Sequence, residues 1–347
     1  MGAKRSIAFY RYSLMNRGGD RMVIEYANHL AESGYDVSIV SAVDESVFHV
    51  SERVHRQCIP WRGRFGFLFY TLFKRLKFDV VIVDIIHLTP LVKCLGKLIY
   101  FAQADDVEYY DHRFQRYIID TLYRRYFSRQ KACITVSNYL TQIFEKRYGA
   151  RDCRTVVNGI DLKTFYPDPD PDLVTKKQGR KAIFFMARGD RFRKGYDLAM
   201  EVFENISDSI RNSIELWVCG DPLQGDYPFT VRSFGVVSDA RLRQILSSAD
   251  IFFYPSRHEG FGLFPLEAMS CGSVVLTTDA VPYASSYPCI ASASVGDVEG
   301  MLQLLENLVQ YPELLDNARN DGMRAAKDFD LQKSKDKFLD ALRYYAP

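Results

Sequence analysis

Short apolar runs alternate along this chain with segments in which apolar residues recur every three or four positions. The runs at 6–10, 36–41, 79–84, 98–102 and 133–136 predict strands. The periodic segments at 19–33, 65–77, 109–129 and 138–148 predict helices between them. Apolar runs of this length without alternation are what a strand buried on both faces requires, so the pattern predicts βαβ units and a parallel sheet.

The pattern breaks at Tyr166-Pro-Asp-Pro-Asp-Pro-Asp172, where three prolines fix φ and remove donors. This stretch, continuing to 180, reads as an exposed linker. The alternation then restarts, with strands predicted at 182–187, 214–219, 231–234, 251–254 and 274–277. Helices are predicted at 196–206, 240–247 and 263–270, and the tail 298–345 reads as mostly helical. The sequence therefore predicts an α/β protein with two Rossmann-like domains. The expected boundaries are 1–165 for the first domain, 166–180 for the linker and 181–328 for the second. A final helix at 329–347 is expected to pack back on the first domain. Ligands of such sheets sit outside the carboxyl ends of the strands, and with two domains a cleft between them is the expected place.

A length of 347 residues suits two domains. Net charge is only +2, but it is divided unevenly. Residues 1–160 carry 24 Lys and Arg against 16 Asp and Glu, or +8, which leaves 21 against 27, or −6, for the remainder. A basic first half favours an anionic substrate, or a peripheral contact with a membrane surface. Nucleic acid is not favoured, because the cations are spread over several helices. The apolar stretch 65–73 is too short to cross a bilayer, and the N-terminus shows no signal-peptide pattern. The seven cysteines include no Cys-x-x-Cys pair and read as reduced thiols, so a cytoplasmic setting is expected.

Three motifs carry the candidate chemistry. In Arg257-His-Glu-Gly-Phe-Gly-Leu263, Gly260 and Gly262 permit a tight turn between a strand and a helix. The free N–H groups at that helix start can hold a phosphate. Glu259 lies in the loop, and Glu267 lies about two turns into the helix. In Met186-Ala-Arg-Gly-Asp-Arg-Phe-Arg-Lys-Gly195, Arg188 ends a strand and Lys194 precedes a helix, so the pair can clamp a diphosphate. Arg191 and Arg193 are read as solvated, and so is His258. Gly18 and Gly19, at the start of the first predicted helix, allow close backbone approach to a ligand.

These motifs, in this order, resemble the retaining GT-B glycosyltransferases of family 4, the "glycosyl transferases group 1" type. The likeness extends to Val157-Asn-Gly-Ile-Asp161, to Phe234-Gly-Val236 and to the Glu-x7-Glu spacing of Glu259 and Glu267. The resemblance implies a GT-B architecture and transfer of a sugar from a nucleotide-diphosphate donor to a glycan or lipid-linked glycan. It implies neither metal nor cofactor. Arg188 and Lys194 would bind the diphosphate, and Glu259 would contact the donor sugar. Gly260, Phe261 and Gly262 would line that sugar. Leu263 N–H would touch phosphate, Glu267 would accept from the ribose, and Val236 and Val237 would border the base. Gly18 and Gly19 would close over the diphosphate. Gln103 stands where many relatives carry a His, and Gln cannot act as a general base. The segment 281–288 is short for the family.

Some alternatives stay open on the sequence. Asp105 and Asp106 read equally as acceptor-orienting groups or as the cap of a following turn. The basic, aromatic segments 61–77 and 113–131 can dock on anionic lipid or face the core, and the core-facing reading is preferred. Another GT-B enzyme, such as a nucleotide-sugar 2-epimerase or a phosphorylase, and a non-catalytic nucleotide-sugar-binding protein are the competing functions.

Overall fold

The computed structural model describes residues 4–347 except Arg62, Arg188, Gln224 and Gly225. The chain forms two compact units. One comprises residues 1–158 together with 332–347, and the other comprises residues 159–331.

The first unit holds β1 (Ser6–Leu14), α1 (Gly18–Glu32), β2 (Asp36–Asp44), β3 (Val54–Cys58), α2 (Gly63–Phe73), β4 (Val80–Val83), β5 (Lys97–Ala102), α3 (Arg113–Phe127), β6 (Cys133–Thr135), α4 (Asn138–Tyr148) and β7 (Cys153–Thr155). The sheet order is β3-β2-β1-β4-β5-β6-β7, with every pair parallel. Sequential strands that run outward from β1 and then restart on its other side make a doubly wound sheet, whose switch point lies between β1 and β4.

The second unit holds α5 (Pro171–Lys176), β8 (Lys181–Ala187), α6 (Tyr196–Glu204), α7 (Asp208–Arg211), β9 (Ile214–Gly220), β10 (Thr230–Gly235), α8 (Asp239–Ser248), β11 (Ile251–Tyr254), α9 (Leu263–Cys271), β12 (Val274–Thr278), β13 (Ala291–Ala293), α10 (Val298–Gln310) and α11 (Pro312–Ala326). Its order is β10-β9-β8-β11-β12-β13, again all parallel. The switch point lies between β8 and β11. The central strands β8 and β11 are buried almost throughout, which explains their unbroken apolar runs.

A last helix, α12 (Leu331–Tyr345), lies almost wholly in the first unit. Phe338 stacks on Tyr26 of α1 at 4.1 Å and meets Phe101 of β5 edge-on at 5.4 Å. The Tyr345 hydroxyl lies 2.8 Å from the carbonyls of both Cys133 and Asp152 and shares its proton between them. Two buried aromatic anchors of this kind are worth several kcal/mol in burial alone, at about 1.5–3 kcal/mol each.

Some expectations need correcting. The segment 166–180 is not a free linker. Asp168 and Asp170 donate their backbone N–H groups to Ser247 and Ser248, both at 2.9 Å, and pair with Arg243 at 2.9 Å and Arg241 at 2.5 Å on α8. Asp170 then caps α5, whose first residue is Pro171, the position where a missing N–H costs nothing. The helix expected over 65–77 ends at Phe73, and Arg75–Leu76 instead pairs with Lys93–Cys94. Nor does α2 face the core as a whole. It buries Phe67 and Thr71 and exposes Phe65, Phe69 and Phe73. Likewise α3 starts only at Arg113 and buries Ile119, Tyr123, Tyr126 and Phe127, but exposes Phe114 and Tyr117. The edge strands β3, β7 and β13 have no counterpart among the expected elements. They are three to five residues long, and largely polar or alanine-rich.

Candidate functional site

The second unit gathers its candidate residues at the carboxyl ends of its strands. Beyond β8, Arg188 lies outside the described residues. The chain then turns through Gly189 to Lys194, with Lys194 N donating to Asp190 O at 2.9 Å. Gly195 caps α6 in the left-handed region, at φ 66°. A side chain there would collide with the carbonyl oxygen of Pro255, so only glycine lets this loop approach the residues after β11. The loop is also stitched to them by hydrogen bonds. Arg257 N donates to Arg193 O at 2.7 Å, and Ser256 Oγ lies 3.1 Å from the same carbonyl. Arg257 makes a two-pronged contact with Asp197, at 2.6 and 2.7 Å. Arg191 is solvated as expected, with an exposed pairing to Asp221 and its guanidinium 4.9 Å from the centroid of the Tyr196 ring. Arg193 is not, since its side chain is four-fifths buried and its carbonyl is one of these anchors.

This stitching sets Lys194 against Glu259. Lys194 Nζ lies 2.5 Å from Glu259 Oε1 and 2.8 Å from the Tyr254 hydroxyl. The same Oε1 accepts from Tyr254 OH at 2.5 Å and from Ser256 Oγ at 2.8 Å. One carboxylate oxygen is thus clamped by three donors. Among the described residues Oε2 takes no hydrogen bond and is left for a ligand. An ammonium carries three donors, and two are used on Glu259 and Tyr254, so one remains. Burial alone would push the Glu259 carboxyl up. The charge of Lys194 and the three hydrogen bonds outweigh it and hold the carboxyl below the usual carboxylate range. Burial, and then the neighbouring Glu259, push the Tyr254 hydroxyl far up, so it stays protonated and donates.

Three residues after Glu259, Gly262 caps α9 at φ 92°, and as a glycine it brings no capping side chain to the helix start. Tyr283 OH donates to Gly262 O at 2.5 Å and fixes the turn. Leu263 and Gly260 are half-buried here. Phe261 points into the core against Tyr283 (5.3 Å) and Phe329 (5.8 Å), so only its backbone is left for a ligand. Glu267 is 4% exposed on α9. Burial first, and then Glu259 and Glu267 together, raise the Tyr283 hydroxyl well above its ordinary value, so both carboxylates act on one phenol. Val236, largely exposed, and Val237, half-buried, follow the carboxyl end of β10. Tyr254, Ser256 and Tyr283 were not singled out in the sequence. Their positions at a strand end and in loops carry no periodic signal.

In the first unit Gly18 and Gly19 open α1, as expected. A Cβ on Gly19 would stand 2.7 Å from Gln103 Oε1, so α1 starts close against the end of the Gln103 side chain. Gln103 Nε2 donates to Asp84 at 3.3 Å, Asp84 pairs with Arg11 at 3.2 Å, and Arg11 pairs with Asp20 of α1. Gln103 Oε1, Asp84 Oδ1 and Arg11 Nη1 are buried without a hydrogen-bond partner among the described residues. Asp105 is 3% exposed and caps the turn Asp106–Tyr109 by accepting from Val107 N at 3.1 Å. Asp106 accepts from Ile86 N at 2.7 Å and from Tyr100 OH at 3.3 Å. Of the two readings the sequence left open for this pair, the geometry displays capping and burial, with both side chains already committed inside the fold.

A family profile described as "Glycosyltransferase Family 4" matches residues 16–164, and one described as "Glycosyl transferases group 1" matches residues 171–289. The chain belongs to the group 1 glycosyltransferases. Its two parallel-sheet units are the GT-B fold.

Among curated members, the chain is 28% identical over 134 residues to the phosphatidylinositol N-acetylglucosaminyltransferase GPI3 subunit of Saccharomyces cerevisiae (strain YJM789). It is 27% identical over 137 residues to the lipopolysaccharide glucosyltransferase WaaG of Escherichia coli (strain K12). These alignments take in 35% and 37% of the chain and only 29% and 36% of those relatives' lengths. Solved structures share the fold. Sucrose-phosphate synthase from Thermosynechococcus elongatus superposes with TM-score 0.77 at 15% identity, over 98% of this chain and 99% of that one. The WaaG structure gives 0.76 at 18%, over 96% and 98%. Anabaena Alr3699/HepE in complex with UDP-glucose gives 0.73 at 13%, over 98% and 99%.

Proposed function

We propose that this group 1 glycosyltransferase is a retaining enzyme. In this reading it moves a sugar from a nucleotide-diphosphate donor to a glycan or lipid-linked glycan, without a metal ion. The observation that carries the reading is the Lys194–Glu259 pair, set beside the uncapped start of α9.

The spare N–H of Lys194, the guanidinium of Arg188 and the N–H groups of Leu263 and its neighbours receive the diphosphate. Together they supply the positive charge that a divalent ion supplies elsewhere. Glu259, ionised and fixed through Oε1, presents Oε2 to the hydroxyls of the donor sugar. Glu267 accepts from the ribose, Val236 and Val237 border the base, and Gly18, Gly19 and Gln103 belong to the donor side of the first unit. The bond between the anomeric carbon and the diphosphate oxygen breaks, and its electron pair leaves with the diphosphate. The acceptor oxygen forms its bond on the same face, and its proton passes to the departing phosphate oxygen. Glu259 cannot be the proton donor, because its carboxyl is held ionised.

The choice among donors is tested by thermal shift with UDP-glucose, UDP-galactose, UDP-GlcNAc, GDP-mannose, GDP-fucose and dTDP-rhamnose, each in EDTA. A donor at 100 times its Kd stabilises its unit by about 2.7 kcal/mol. A shift that survives EDTA is expected with one donor and is reduced in Lys194→Ala. A shift that requires added Mg²⁺ contradicts the metal-free reading.

A further inference from the structure

The first unit contains a pocket that the reaction described above does not use. Its volume is ≈ 530 Å³. Five cations line it, Arg75, Lys93, Arg125, Arg129 and Lys131, and no carboxylate does. None of the five makes an ion pair among the described residues. Clustering this many unpaired cations costs energy unless an anion joins them. The clustering leaves a mark on Lys131, whose ammonium is pushed down, first by burial and then by Arg129 and Arg125.

The place of the pocket in the sheet separates it from the donor site. Leu98, which borders it, is the second residue of β5, and Lys131 comes two residues before β6. These are the amino ends of the strands. Gly19 and Gln103 lie instead where β1 and β5 end, the side where doubly wound sheets take their ligands.

A second feature begins two residues from the pocket. Along α2 and just ahead of it, Trp61, Phe65, Phe69 and Phe73 recur every fourth position and are 49%, 84%, 54% and 73% exposed. Phe69 stacks on Phe73 at 5.7 Å and Trp61 meets Phe69 at 6.5 Å, so these three rings form a ridge, with Phe65 exposed one turn before Phe69 on the same helix. The ridge runs into Lys74 and Arg75, and Arg75 is a wall of the pocket. Exposed aromatics in a continuous row are uncommon on a surface that meets only water. An aromatic ridge that ends in a cationic pocket has the two halves of an anionic lipid interface, with rings at the acyl boundary and ammonium and guanidinium groups at the phosphates.

We propose that the first unit docks on anionic phospholipid. The pocket formed by Arg75, Lys93, Arg125, Arg129 and Lys131 receives a headgroup phosphate, and the Phe65–Phe69–Phe73 ridge lies in the interface. The proposal does not depend on the donor, the acceptor or the stereochemistry of transfer.

The test is flotation of the full chain with two kinds of vesicle, one of phosphatidylcholine alone and one of phosphatidylcholine and phosphatidylglycerol in equal parts. Binding to the anionic vesicles only is expected. Reversing two pocket charges, R125E with R129E, is expected to weaken it by about tenfold or more, since each cation at an anionic surface contributes comparably. Replacing the ridge, F65S with F69S and F73S, is expected to leave weak binding that salt removes, because the screened part alone remains. All five side chains are exposed, and unchanged melting temperatures will show that these variants fold. Equal binding to both vesicle types, or variants that float as the natural chain does, would overturn the proposal. Saturable binding of inorganic phosphate in the pocket without flotation would overturn the lipid as its source.

Discussion

Lys194 Nζ and the Tyr254 hydroxyl both stand 2.5 Å from a single oxygen of Glu259. The Lys194 loop and the Glu259 loop are 65 residues apart, and Gly195 packed on Pro255 is what brings them together. In the proposed reading the ammonium serves two anions at once, the fixed carboxylate and a donor phosphate, and this sharing makes each residue separately testable.

Replacing Lys194 by Ala is expected to raise the donor Kd about 10- to 100-fold, from loss of one charge-assisted contact of about 1.5–3 kcal/mol. It should also lower the melting temperature of the free protein, because it leaves the buried Glu259 carboxylate short of its counter-charge. Calorimetric titration and a melt measure the two effects. Unchanged donor affinity would remove Lys194 from the site.

For Glu259, the substitution Glu259→Gln keeps the shape and loses the charge. Turnover should fall by about a hundredfold or more, while affinity for the free nucleoside diphosphate changes little. The folded carboxyl titrates below its unfolded value, so it contributes stability above the unfolded pKa. That contribution is lost as pH falls through the folded one. A melt series into acid should show a drop in the natural chain that is smaller in Glu259→Gln.

Gly195→Ala and Gly189→Ala provide a paired comparison. Both residues have positive φ, 66° and 87°, so each substitution carries backbone strain of about 1–2 kcal/mol. Only at 195 does the new methyl strike the Pro255 carbonyl, whereas nothing lies within 4 Å at 189. Donor affinity is expected to collapse in Gly195→Ala and to change modestly in Gly189→Ala, with a larger loss of melting temperature in the former. Equal behaviour of the two would mean that the 195–255 approach does not position Lys194.

Asp106 gives the first unit a pH dependence of its own. Burial pushes its carboxyl up to about 7, against the opposing hydrogen bond from Ile86 N. The folded pKa lies above the unfolded one, so the stability it contributes is complete in acid, below the unfolded value. It is lost as pH rises towards about 7. Asp106→Asn should flatten that slope between pH 4 and about 7 without lowering the acid-side stability. A variant with the unaltered slope would show that another group carries it.

Much of this architecture is legible in the residues, and the rest is hidden for identifiable reasons. The strand Ile251–Tyr254 and the helix Asn138–Tyr148 have the bounds that their apolar spacing predicts, because a buried strand and a capped helix impose their own patterns. Ser137 and Gly149 even mark the two ends of the latter. The edge strand Val54–Cys58 buries one residue in five and leaves no pattern to read. Asp168 and Asp170 look like solvated linker residues because their partners, Arg241 and Arg243, lie some 70 positions on. The exposed face of α2 is misread for a related reason. Phenylalanine favours the core on average, and only the fold shows that Phe65, Phe69 and Phe73 are exposed. At the site, the glycine-bounded helix start with Arg188 and Lys194 points to an anion, whereas the clamp by Tyr254 and Ser256 is a product of the packed loops.

The most direct test of retention is the configuration of the first sugar released. The donor that gives the EDTA-resistant shift is incubated with the enzyme in EDTA without acceptor, so that water takes the acceptor's place, and proton NMR follows the free sugar as it appears. The account predicts that the donor's own anomeric configuration appears first and equilibrates later. Initial appearance of the opposite anomer would contradict it.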